Sequence, residues 1–128
     1  MAGDLMLYAG SIVITLWGVA HIVPTRSVVA GFESLTEDNR HIITMEWVAE
    51  GLTLCFIGLL ALSITVVGLA GNPLSPVVYG ACAAMLLVMA VWSALTGAKT
   101  PVLPMKLCPF VKTAVAILFV LGSMWKPA

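Results

Sequence analysis

The sequence predicts an all-α integral membrane protein: a four-helix bundle forming a single transmembrane domain over residues 1–128. Three observations predict it. Hydrophobic residues make up 61% of the chain and charged residues 9%, with a mean hydropathy of +1.09, more apolar surface than a soluble domain of this size could bury. The apolar residues fall into four runs separated by connections rich in proline, glycine and charge. The few ionisable residues inside the runs cluster near one end of them.

The first apolar run covers residues 5–23, about 19 residues, enough for one crossing, and stops at Pro24. Residues 1–4 hold no Lys or Arg, so the basic start of a secretory signal is missing and helix 1 is expected to be retained. A polar connection follows with Arg26, Glu33, Glu37, Asp38, Asn39, Arg40 and His41; within it, residues 27–35 alternate as a short interfacial helix would. Thr36 followed by Glu37 and Asp38 reads as an N-cap with acids in the first turn. Helix 2 is therefore expected over residues 37–70, roughly 50 Å at about 1.5 Å per residue, projecting above the membrane.

Gly71, Asn72 and Pro73 read as a tight turn, and Pro76 as the opening of helix 3, which crosses at 77–96. Residues 97–109, with Lys99, Pro101, Pro104 and Lys106, read as an interrupted connection, leaving helix 4 at 110–125. Gly51 and Gly58 in helix 2, and Gly80, Ala81, Ala83 and Ala84 in helix 3, are expected to let helices approach closely.

Arg26, Arg40, Lys99 and Lys106 lie in the first and third connections, with Lys112 just inside helix 4; the opposite side holds only Lys126 and the amino terminus. By the positive-inside rule both termini face away from the cytoplasm. Six basic and six acidic residues leave no net charge to gather phosphates, so nucleic acid is excluded as a partner. The partners to expect are the lipid bilayer, another membrane chain or a second copy, and small molecules. Cys55, Cys82 and Cys108 form no C-x-x-C pair and read as small buried hydrophobes. Met85 and Met89 read as packing. No serine-centred triad, phosphate-binding glycine loop or haem-attachment pattern is present, and the chain is read as non-enzymatic.

The candidate site follows from the helix ends. His21 closes helix 1, Glu46 and Glu50 lie in the first membrane turns of helix 2, and Lys112 begins helix 4, all near the cytoplasmic face. Glu46 and Glu50, four apart, share a side that Thr53 continues. Three readings compete. Glu46 snorkels while Glu50 pairs with Lys112 or His21, fixing helix register. Alternatively His21, Glu46 and Glu50, with His41 as a further donor, ligate a metal such as zinc or iron. In the third, Glu50 is the proton or cation site of a small-molecule transporter. Trp17, Trp47 and Trp92 lie at the same depth, as an interfacial aromatic belt or as the wall of a site for a quinone-like ligand.

Leu16-Trp17-Gly18-Val19-Ala20-His21 at the end of helix 1, with Glu46-Trp47 and Glu50-Gly51 opening helix 2, resembles small four-helix bacterial membrane proteins of the broad DoxX-like kind. The resemblance implies a bacterial inner-membrane setting, and a role as an accessory subunit such as some of those proteins play in quinone-linked oxidation. Small multidrug transporters also have four helices, but their essential glutamate lies in helix 1, where this chain has no acid past Asp4. The leading expectation is a non-enzymatic accessory or ligand-binding subunit acting through the polar cluster.

Overall fold

A computed structural model describes residues 1–125. Lys126, the one basic side chain that the charge argument placed opposite the others, lies outside them. The described residues form five α-helices and two short 3-10 turns. They are α1 (Ala2–Ile22), α2 (Thr25–Ala30), α3 (Glu37–Val66), α4 (Ser75–Leu95) and α5 (Leu103–Met124), with 3-10 turns at Leu69–Gly71 and Gly97–Lys99. α1, α3, α4 and α5 are each long and apolar enough to cross a membrane, so the protein is a multi-pass, all-α membrane bundle. Its outer surface is a near-continuous apolar coat, including Leu5, Ile12, Phe56, Leu59, Val88 and Ile117, the surface that lipid requires.

The caps explain where the helices begin. Thr36 accepts a hydrogen bond from the Asn39 amide at 3.2 Å and caps α3, as its sequence signature predicts. Pro76 sits in the first turn of α4, where its missing N–H removes no helical bond. The interfacial helix is shorter than its amphipathic stretch and ends at Gly31; Ser34 then adopts a positive φ of 58° before the α3 cap.

One boundary differs enough to matter. α5 starts at Leu103, not at Phe110, because Pro104 falls in the first turn and Pro109 interrupts only one internal bond. In a bundle interior such a gap is tolerated where neighbouring groups re-satisfy the backbone. Lys112 is consequently in the third turn of α5, within the bundle, and not at the helix entrance.

α1 and α5 are the inner helices: α1 packs most extensively on α3 and next on α5, α5 packs on α4, and α3 and α4 stand farther apart, meeting through side chains such as Thr65 and Tyr79. Glycines set the close contacts of α1. A Cβ on Gly18 would lie 2.7 Å from the Gly51 carbonyl and from the Cys55 sulfur, and one on Gly58 would lie 2.8 Å from the Ser11 carbonyl. Gly80 has no such role: nothing lies within 4 Å of its would-be Cβ, while Ala81 and Ala84 are exposed and only Ala83 joins the core. Leu7, Ile14, Leu54, Ile57, Leu86, Val115 and Phe119 fill the centre. The helices therefore run in the order α3, α1, α5, α4, leaving an open seam between α3 and α4.

Candidate functional site

The seam exposes the polar end of the bundle. His21 from α1, Glu50 from α3, Ser93 from α4, and Cys108 and Lys112 from α5 converge there. Lys112 is fully buried and donates to a Glu50 carboxylate oxygen and, at 2.7 Å, to the Ser93 hydroxyl. A lysine with no exposure inside a membrane bundle is costly unless its amino group is paired and hydrogen-bonded, and these two acceptors supply both. The Glu50 side chain keeps 32% of its surface exposed, so the carboxylate bridges the buried lysine and the seam.

His21 is held from several sides. Its Nδ1 lies 3.0 Å from the Trp17 carbonyl, and its own carbonyl accepts from the Trp47 indole N–H at 2.6 Å. A carbonyl can only accept, so Nδ1 carries a proton and the neutral ring presents Nε2 as a bare acceptor. The Trp47 ring stacks on the imidazole at 5.4 Å between centroids, and Trp17 meets it edge-on at 6.0 Å. Nε2 faces the Cys108 sulfur at 3.8 Å and a Glu50 oxygen at 3.9 Å, and the Cys108 sulfur lies 3.9 Å from that same oxygen. These three donor atoms form the one group of metal-competent side chains among the described residues.

Two cavities meet at this cluster. One of about 500 Å³ occupies the α3–α4 seam, lined by Glu46, Trp47 and Glu50 on one side, Met89, Trp92 and Ser93 on the other, and Cys108 and Lys112 at its floor. The second, about 840 Å³ and more apolar, lies beyond Trp47 among Trp17, Val28, Phe32 and the start of α5. His21 and Trp47 border both. Both volumes lie within the size range of small-molecule sites, about 300–1,000 Å³.

The predicted residues separate accordingly. His21, Glu50 and Lys112 come together, as does Trp47 through the His21 carbonyl. Glu46 lines the seam but is exposed and stands outside the three-atom group; His41 is exposed and lines neither cavity. Thr53 bonds to the Ala49 carbonyl of its own helix at 2.8 Å and does not extend the site. Trp92 is largely exposed at the rim, while the Trp17 indole N–H is buried without a hydrogen-bond partner.

Cys108 and Ser93 are the members that sequence reasoning missed. Cys108 read as a buried hydrophobe, and it is buried, but beside polar groups. The signal was present: Cys108 and Lys112 are four apart and share a helix face once α5 is drawn from Leu103. Reading residues 97–109 as irregular hid it. Ser93 is a lone hydroxyl beside Trp92, where only the fold reveals its direction.

No protein-family model, curated protein or solved structure matches this chain.

Proposed function

We propose that the protein is a non-enzymatic ligand-binding subunit of a bacterial inner membrane, holding a small quinone-class molecule in the α3–α4 seam and serving a partner membrane chain or a second copy of itself. The observation that carries the reading is the buried Lys112 paired with Glu50 at the floor of a cavity of about 500 Å³ between α3 and α4, whose backbones stand apart at this end. Helices that need only to pack would close that seam with apolar contact.

The seam opens sideways, past the exposed Val88 and Trp92, so a bilayer-dissolved molecule reaches it without crossing the headgroups. A quinone carbonyl needs a hydrogen-bond donor, and the Lys112 ammonium has a third N–H beyond those given to Glu50 and Ser93, whose own hydroxyl donates to the Met89 carbonyl at 2.8 Å. Its flat ring finds Trp47 and Trp92 as stacking surfaces. The DoxX-like resemblance points to the same class of ligand. The positive-inside bias of Arg26, Arg40, Lys99 and Lys106 supports a site near the cytoplasmic face with both termini outside.

The test is titration of the full chain in lipid nanodiscs with a short-chain ubiquinone, followed by tryptophan fluorescence. Saturable quenching at one quinone per chain is expected, weakened about tenfold in Lys112→Met and several-fold in Ser93→Ala, which removes the acceptor that orients the Lys112 ammonium, a single hydrogen bond worth about 0.5–1.5 kcal/mol. Linear, non-saturating quenching identical in wild type and Ser93→Ala would mean partition into lipid alone and would overturn the reading. For orientation, Asn72→Cys should be labelled by a membrane-impermeant thiol reagent from outside cells and Ala98→Cys protected; the reverse pattern inverts the topology.

A further inference from the structure

We infer that His21 Nε2, a Glu50 carboxylate oxygen and Cys108 Sγ form a three-ligand site for one zinc-class divalent ion, with a fourth position open to the α3–α4 seam. The inference goes beyond the quinone-class reading and does not rest on it. The three atoms come from α1, α3 and α5 and lie at the corners of a nearly equilateral triangle, with edges of 3.8, 3.9 and 3.9 Å. An ion standing out of the plane so as to leave a fourth tetrahedral position lies about 2.4 Å from each corner, close to the zinc bonds to nitrogen, oxygen and sulfur of about 2.0–2.3 Å. Three protein ligands and one open position is the arrangement of zinc sites that bind an exchangeable group, and a thiolate with an imidazole selects zinc or cobalt over magnesium or calcium.

The surroundings are those of a ligand set as well. The Trp17 carbonyl holds the His21 Nδ1 proton, fixing the tautomer that frees Nε2 to ligate. The Trp17 indole N–H, on the residue whose carbonyl holds the His21 ring, is buried without a hydrogen-bond partner. The Glu50 oxygen at the corner is the one that accepts from Lys112, so on binding the carboxylate turns to give the ammonium its second oxygen or shares the first between ammonium and ion. The Cys108 thiol proton leaves on binding, so the thiolate and carboxylate set two negative charges against the two of the ion and the one on Lys112, and an anionic group in the open position would balance the remainder. Glu46, the second carboxylate of the ligand set expected from sequence, has no place in this triangle.

Cobalt(II) is the probe for the test: the full chain in nanodiscs, stripped with a chelator, is titrated with it. One cobalt per chain is expected, with thiolate-to-cobalt charge-transfer absorption and d–d bands of tetrahedral intensity, all abolished by excess zinc. The charge-transfer band should vanish in Cys108→Ser, affinity should fall about tenfold or more in His21→Gln, and both signals should persist in Glu46→Gln and Cys82→Ser. Should the variants misfold, the wild type alone decides: zinc should slow alkylation of Cys108 about tenfold or more while leaving Cys55 unchanged, read by peptide mass spectrometry. Cobalt binding without the charge-transfer band, a band surviving in folded Cys108→Ser, or no zinc protection of Cys108 would overturn the site. Quinone titration of the stripped protein is a separate readout, so either proposal can fail alone.

Discussion

The two ends of the bundle bury polar side chains in opposite ways. At the end where α1 begins, the Tyr79 and Thr65 hydroxyls meet at 2.8 Å, neutral and enclosed, with the Tyr79 ring packed on Phe119 at 6.2 Å. Both are buried. At the other end a lysine, a glutamate, a histidine and a cysteine gather beside an open seam, with an indole N–H left unsatisfied. The first arrangement closes on itself and serves packing. The second stays open on one side, as the proposed binding site requires, and places charge in a membrane interior, where it is costly.

The largest effect expected from breaking this contrast is at Lys112. Lys112→Met strands the Glu50 carboxylate and should lower stability by about 3–5 kcal/mol in detergent unfolding, while Lys112→Met with Glu50→Gln should recover most of the loss. Equal losses in the single and double variants would mean that Lys112 acts by packing and not by pairing.

Next comes the glycine seam that holds α3 to α1. Gly58→Ala forces a methyl group against the Ser11 carbonyl and should cost about 1–3 kcal/mol, whereas Gly80→Ala meets nothing within 4 Å and should be neutral or stabilising by up to about 1 kcal/mol. Circular-dichroism melts of the pair read this directly, and similar losses at both positions would contradict the close approach at Gly58. Smallest is the closed polar end: Tyr79→Phe, which leaves Thr65 bonded to the Ala61 carbonyl at 2.8 Å, should cost about 1 kcal/mol and leave any binding at the opposite end unchanged. A loss of binding in Tyr79→Phe would show that the two ends are coupled.

The architecture was legible in the sequence because lipid leaves few choices: apolar runs of crossing length must be helices, and Thr36, Pro24 and Pro76 mark where they start and stop. The depth of His21, Glu50 and Lys112 was legible for the same reason, since connection lengths fix which helix ends lie together. The identity of the ligand set was not. Glu46 and Glu50 share a helix side by periodicity, yet which side faces the bundle depends on how α3 rolls against α1, and that roll is set by glycine contacts at Gly18, Gly51 and Gly58. Cys108 was concealed by prolines that break helices in water but sit within α5 here. The open α3–α4 seam follows from the order of the helices around the bundle, which four apolar runs do not specify.

The central claim is that the polar end of the bundle is a ligand site entered through that seam. Photo-crosslinking of the full chain in nanodiscs with an azido-quinone, mapped by peptide mass spectrometry, tests it most directly. Labelling concentrated on Trp47 and on the α4 face around Met89 and Trp92, and suppressed by excess unlabelled quinone, is the predicted result. Labelling spread evenly over the lipid-facing Leu5, Ile12, Phe56 and Ile117 and unaffected by competitor would contradict it.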